Sequence, residues 1–178
     1  MAPVFARALR RALDALYLLG GAVAALCLIA ILCLIVAQML ARWFGVVFPG
    51  ATDYAGYAMA GASFFGFAYA LNHGAHIRVS LVLNLMGARR YWLELACFAI
   101  GAVISSYLAW YAVRAVRWSL RFGDVSQGLD RTPLWIPQSA MAAGAILLAL
   151  AFWDHLARLV FAGAHGMRGE SLDRARSE

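Results

Sequence analysis

Long apolar runs broken by short polar stretches organise this chain. The first continues from Ala15 to Ala37 behind Arg7, Arg10 and Arg11. It exceeds the roughly 20 residues that cross a bilayer and predicts a helix over about 14–44. A signal peptide also opens with basic residues, but its apolar core is only about 7 to 15 residues, so this run reads as a retained anchor. Gly45 to Gly50 turns the chain, with Trp43 at the interface. Thr52 and Asp53 then mark a helix start, because the hydroxyl caps free N–H groups and the carboxylate favours the positive end of the helix dipole. The helix they open is expected over about 53–71. Its core is short for a span and rich in glycine and alanine.

Ala58, Ala62, Gly66 and Ala70 recur every fourth residue along that helix. This places small side chains on one face, where a neighbouring backbone approaches closely. Phe64, Phe65, Phe67 and Tyr69 cover much of the remaining circumference. A polar hinge follows, Asn72 to Arg78, carrying His73, His76 and Arg78. The next stretch, VSLVLNLMGARR at 79–90, is too short to span and reads as an interfacial or re-entrant segment.

A third helix is expected over about 91–122, with a second small-residue stripe of Cys97, Gly101, Ser105 and Ala109 placed to meet the first. A polar loop, Gly123 to Thr132, leads into TPLWIPQ. There Pro133 fixes an extended approach, Trp135 sits at interfacial depth and Pro137 suits a first helical position. The fourth helix is expected over about 137–161, with Ala140 and Gly144 as small contact residues. The fold class that follows is all-α: an integral membrane protein with four transmembrane helices and a short interfacial segment between the second and third. Residues 1–163 form one membrane domain and 164–178 a polar cytoplasmic tail.

Composition sharpens the class. With 64% hydrophobic and 13% charged residues, against roughly half apolar in a soluble domain, little is left to build an aqueous domain. The net charge of +6 comes from arginines dispersed along the membrane flanks, which fits topology and gives no platform for nucleic acid. Cys27, Cys33 and Cys97 lie inside apolar runs without a CxxC spacing, so they read as small hydrophobes. With four spans, ten arginines collect on the side of the termini and five on the other, which places both termini in the cytoplasm. Asp154 with Arg158, Arg90 with Glu94 and Arg10 with Asp14 are spaced for i,i+4 pairing.

Candidate chemistry is sparse. No nucleophile sits with a base, and no ligand cluster suggests a metal, so neither an enzyme nor a cofactor site is expected. His73 and His76 flank Gly74 in a hinge and read as structural. The spans lack a central charge, and Gln38 and Ser105 are the nearest polar groups, whereas a self-sufficient transporter shows repeats or intramembrane ionisable residues. Arg114, Arg117 and Arg121 share one helix face. They either reach the interface and pair with Asp124 or Asp130, or offer a docking surface to an acidic partner. The residues describe a scaffold or accessory subunit, with a stand-alone four-helix haem or quinone redox protein as the alternative.

Four features carry a family resemblance: the acidic helix start at Asp53, the hinge GAHIRV at Gly74 to Val79 after FGFAYAL, the loop with Gly123 and Ser126, and PLWIPQ at Pro133 to Gln138. Together they resemble the small membrane subunit of the tripartite ATP-independent periplasmic (TRAP) transporters over about Ala15 to Phe161. Ser80 and Tyr54 stand where that family often has acids. The resemblance implies a bacterial inner-membrane heterodimer with a large multi-span subunit, fed by a periplasmic substrate-binding protein and driven by sodium. The cargo it implies is a small organic anion, typically a carboxylate. Within that picture His76 and Arg78 order the hinge. Ala58, Ala62, Gly66, Ala70, Gly101, Ser105, Pro133, Trp135 and Pro137 serve packing and subunit contact, with lipid around them. Arg114, Arg117 and Arg121 lie near the periplasmic docking surface.

Overall fold

The computed structural model describes residues 2–46, 48–73, 90–128 and 131–162, and among these the side chains of 10–46, 48–73, 92–128 and 131–160. The hinge residues His76 and Arg78, the expected interfacial segment, Asp130, the Arg90 side chain and the tail from 164 lie outside the described residues. Among the described residues there are four helices: α1 (Ala2–Trp43), α2 (Ala51–Asn72), α3 (Arg90–Phe122) and α4 (Trp135–Ala162). Strand pairing among the described residues is limited to an isolated antiparallel bridge between Val125 and Pro133.

Helix ends differ from the sequence reading for local reasons. α1 begins at Ala2, well before position 14, because alanine, leucine and arginine are strong helix formers and Arg10 pairs with Asp14 one turn on, at 3.3 Å. α2 begins at Ala51 behind Gly50, whose left-handed φ of 78° reverses the chain, and no side chain caps it. Thr52 therefore stands exposed inside the first turn, while Asp53 keeps its first-turn place. α4 begins at Trp135, with Ile136 and Gln138 donating to the carbonyls of Pro133 and Leu134 at 3.2 Å each. Pro137 is thus the third helical residue, still within the turn where a missing N–H costs nothing.

Length and composition qualify three helices to cross a membrane: Arg10–Trp43, Trp92–Phe122 and Trp135–Val160. α2 has 22 residues, about 33 Å at 1.5 Å per residue, but glycine, serine and tyrosine dilute its apolar content. It is flanked on both sides. α1 packs along it on one side and α4 on the other, α3 lies against α4, and α1 touches α4 over a short stretch. The helices therefore stand in the order α1, α2, α4, α3.

Small residues set these contacts. Of thirteen buried apolar side chains among the described residues, nine are alanine, so the backbones come close. Gly61 faces the Cys27 sulfur and Gly66 faces Ala24, which seats α2 on α1. A Cβ at Gly144 would fall 2.7 Å from Phe64 Cβ and 2.9 Å from its carbonyl carbon, so α4 approaches the backbone of α2. Ala62 is buried, while Ala58 and Ala70 are half-buried.

The stripe of α3 does not meet that of α2, contrary to the sequence expectation. Gly101 receives the Phe152 ring, and Ser105 and Ala109 are buried on the same side of α3. Gly144 lets α4 take the place beside α2, and the flat ring of Phe152 fills the hollow in α3. Tyr17, Ala68, Leu71, Leu147 and Ala151 form the central core where α1, α2 and α4 converge.

Candidate functional site

The end of the molecule that carries residues 45–50 and 123–134 is built around a fastened loop. α3 stops at Gly123, whose φ of 65° is left-handed, and Asp124 N–H donates back to the Ser119 carbonyl at 3.2 Å. This is the two-residue wrap that commonly closes a helix on glycine. Ser126 N–H donates to the Thr132 carbonyl at 2.8 Å and Leu134 N–H to the Asp124 carbonyl at 3.0 Å, folding the loop back on itself. Arg131 completes the turn at φ 47°.

α2 then grips this loop from the side. Tyr57 donates to Ser126 Oγ at 2.7 Å, and the same oxygen accepts from Gly128 N–H at 3.2 Å. One turn earlier on the same face, the Asp53 carboxylate lies where a Cβ on Gly128 would have to be. Three of the four features that carried the resemblance are therefore one construction: Asp53, the Gly123 and Ser126 loop, and the Pro133 to Gln138 entry. Pro133 bridges to Val125, and Trp135 and Ile136 stand exposed at the rim.

Arg114, Arg117 and Arg121 are all exposed on α3 just before this loop. The Arg114 guanidinium sits over the Trp118 ring, 5.1 Å from its centroid, a cation–π contact. Among the described residues this cluster makes no ion pair with Asp124, so the expected pairing with that residue is not formed.

At the opposite end, polar groups join helices across the core. Tyr17 is fully buried, and its hydroxyl lies 3.5 Å from Asp154 Oδ2. Arg158 holds the same carboxylate, with Nε donating to Oδ1 at 3.1 Å and Nη2 to Oδ2. His155 is buried and stacks on Phe98 with centroids 5.7 Å apart. His73 is placed by its own helix: Nδ1 lies 2.9 Å from the Tyr69 carbonyl and the two rings stack at 4.0 Å. The imidazole is thereby held against α2.

Sequence reasoning missed Tyr57, Gly128 and Tyr17. Tyr57 is one turn beyond Asp53, a polar pair at the head of an apolar helix, and that spacing was a usable signal. For Tyr17 the clue was Asp154, a carboxylate at the end of an apolar run that needs partners from another helix.

Residues 31–162 match the family model described as Tripartite ATP-independent periplasmic transporters, DctQ component. The chain belongs to this family. It is a transporter component, the small one of its system, and not an enzyme. The DctQ match runs from the last third of α1 to the last residue of α4 and includes the whole fastened loop. None of the curated proteins or solved structures compared with it matches this chain.

Proposed function

We propose that this chain crosses the bacterial inner membrane four times, with both termini in the cytoplasm, and braces the large multi-span subunit of a TRAP transporter as its heterodimeric partner. On this reading the pair takes up a small organic anion, a carboxylate, from a periplasmic binding protein at the expense of a sodium gradient. One observation carries the reading. The row of helices is pinned across its members at both ends, by Tyr57 with Ser126 at one and by Tyr17, Asp154 and Arg158 at the other, which suits a static support for a moving neighbour. Arginine asymmetry supports the orientation and puts the fastened loop in the periplasm. There Arg114, Arg117 and Arg121 offer a positive surface to the binding protein, while His76 and Arg78 order the cytoplasmic hinge.

Affinity purification of the tagged chain from its native membrane in mild detergent tests the core of this reading. The expected result is stoichiometric recovery of a large multi-span membrane protein, and sodium-dependent uptake of a carboxylate when both are reconstituted with the binding protein. Recovery of the chain alone, stable and monodisperse, would overturn it. For the hinge, His76→Ala with Arg78→Ala should lower assembly or uptake; unchanged values for both would remove that role.

A further inference from the structure

We propose that the end of α1 holds the headgroup of an anionic phospholipid, with Arg42 on its phosphate and Gln38 on an ester carbonyl below it. The site is built by the turn that closes the helix. Gly45 takes a left-handed φ of 70°, its N–H donates to the Arg42 carbonyl at 3.2 Å, and Val46 N–H donates to the Ala41 carbonyl at 2.9 Å. This pair of bonds is the Schellman closure of a helix on glycine. It bends the chain back beside the last turn, so that Gln38, Arg42, Gly45, Val46 and Phe48 line a recess of about 320 Å³. That volume lies within the range of about 300–1,000 Å³ usual for small-ligand sites.

Two polar side chains face this recess, and both have donors to spare. Among the described residues the side chains of Gln38 and Arg42 form no hydrogen bond and no ion pair. Arg42 offers only donors and a fixed positive charge, and Gln38 adds an amide. No acid stands among the described residues that line the recess. An anion is its complement.

Depth selects the kind of anion. Arg11 and Arg42 stand about 46 Å apart along α1 at 1.5 Å per residue, close to the roughly 40–45 Å of a bilayer with its headgroup layers. Both arginines therefore lie at headgroup level, and Trp43 stands exposed beside Arg42, where tryptophans collect. Gln38 is one turn, about 6 Å, deeper, at the level where a glycerophospholipid carries its ester carbonyls. From there the same helix face continues through Ile35 and Leu28, both exposed and aliphatic. Phosphate, ester and acyl chain thus meet cation, amide and hydrocarbon surface in the same order. A free anion would match the first of these alone.

The test uses the protein purified from its membrane in mild detergent, with any partner that accompanies it. It is titrated with dioleoyl phosphatidylglycerol or dioleoyl phosphatidylcholine and read by native mass spectrometry. The first phosphatidylglycerol should bind more tightly than phosphatidylcholine, whose headgroup carries its own cation. Arg42→Ala with Gln38→Leu should weaken that first binding at least about tenfold, the loss of a charge-assisted hydrogen bond. Val46→Trp, which fills the recess and keeps both polar groups, should weaken it as well. Arg117→Ala, at an exposed arginine of the same end of the molecule, should not, and excess inorganic phosphate should leave the lipid in place. Equal binding of the two lipids, or unchanged binding in the Arg42 and Gln38 variant, would overturn the proposal. Wild-type binding by Val46→Trp would mean that the arginine reaches a headgroup layer with no built site, and displacement by inorganic phosphate would mean a free anion; either result also overturns it. So would a purified protein that takes up no phosphatidylglycerol, which would assign the recess to a side chain of a partner.

Discussion

Tyr57 and Ser126 lie 69 positions apart in the chain and meet through a hydrogen bond of 2.7 Å that ties α2 to the loop between α3 and α4. Ser126 Oγ also accepts from Gly128 N–H, so one hydroxyl orients both the helix contact and the turn. Tyr57→Phe removes the donor alone and should cost about 1 kcal/mol. Ser126→Ala strips partners from both Tyr57 and Gly128 and should cost more. A double-mutant cycle read by thermal unfolding in detergent should give a coupling of at least about 0.5 kcal/mol; additive effects would mean the bond does not hold the loop.

Gly128 is there for space. A side chain at that position would occupy the place of the Asp53 carboxylate, so that carboxylate would have to turn away from the loop. Because only the end of a side chain moves, Gly128→Ala should destabilise the loop by no more than about 0.5–1 kcal/mol, and Asp53→Ala in the same chain should recover part of that loss. Protease sensitivity of the loop in right-side-out membranes reads this directly, with cleavage raised in the single variant and reduced in the double.

Two helical glycines make opposite predictions. At Gly144 an added methyl would press on the Phe64 backbone, which cannot rotate away, so Gly144→Ala should cost about 1–3 kcal/mol. At Gly56 nothing lies within 4 Å, and Gly56→Ala should stabilise by about 0.5–1 kcal/mol through helix propensity. Unfolding in detergent that ranks the two alike would contradict the close approach of α4 to α2.

Asp154 holds the buried side of the opposite brace. Its side chain and that of Arg158 are 15% and 12% exposed, so removing the acid strands a guanidinium in a poorly solvated place. Asp154→Leu should cost about 3–5 kcal/mol. Asp154→Leu with Arg158→Leu should cost clearly less than the single change, because no charge is left uncompensated. Expression and monodispersity of the two variants give the first comparison, and equal loss in both would argue against the pair.

For the arginines, Arg117→Glu with Arg121→Glu should weaken functional docking of the binding protein while leaving recovery of the large subunit intact. Both side chains are exposed, and interactions between exposed charges are screened within about 8–10 Å at physiological salt. Wild-type uptake at limiting binding protein should therefore fall with ionic strength, and uptake by the reversed variant should not. Identical salt profiles would remove the cluster from docking.

Hydrophobic run length was enough to place four helices, because that signal is local and repeats over whole segments. What each helix touches is a different kind of information. The fourth-residue spacing of Gly101 and Ser105 tells which face is small, but not that the ring of Phe152 occupies it, since any neighbour with a flat side chain would serve. Thr52 looked like the cap of α2; Gly50, two residues earlier, ends the preceding turn in a left-handed conformation and starts the helix sooner. Asp53 was legible as part of a helix start, while its place against Gly128 depends on a loop more than 70 residues away. Tyr17 looked like one more apolar residue in a span until α4 brought Asp154 to it.

The order α1, α2, α4, α3 does not share the load evenly. α1 leans over α2 far enough to touch α4, and Tyr17 enters the core that the three helices share, whereas α3 is held mainly through α4. A change at the seam of α3 and α4, at Gly101 or Phe152, therefore loosens one helix, while a change at Tyr17, Leu71 or Leu147 reaches three at once.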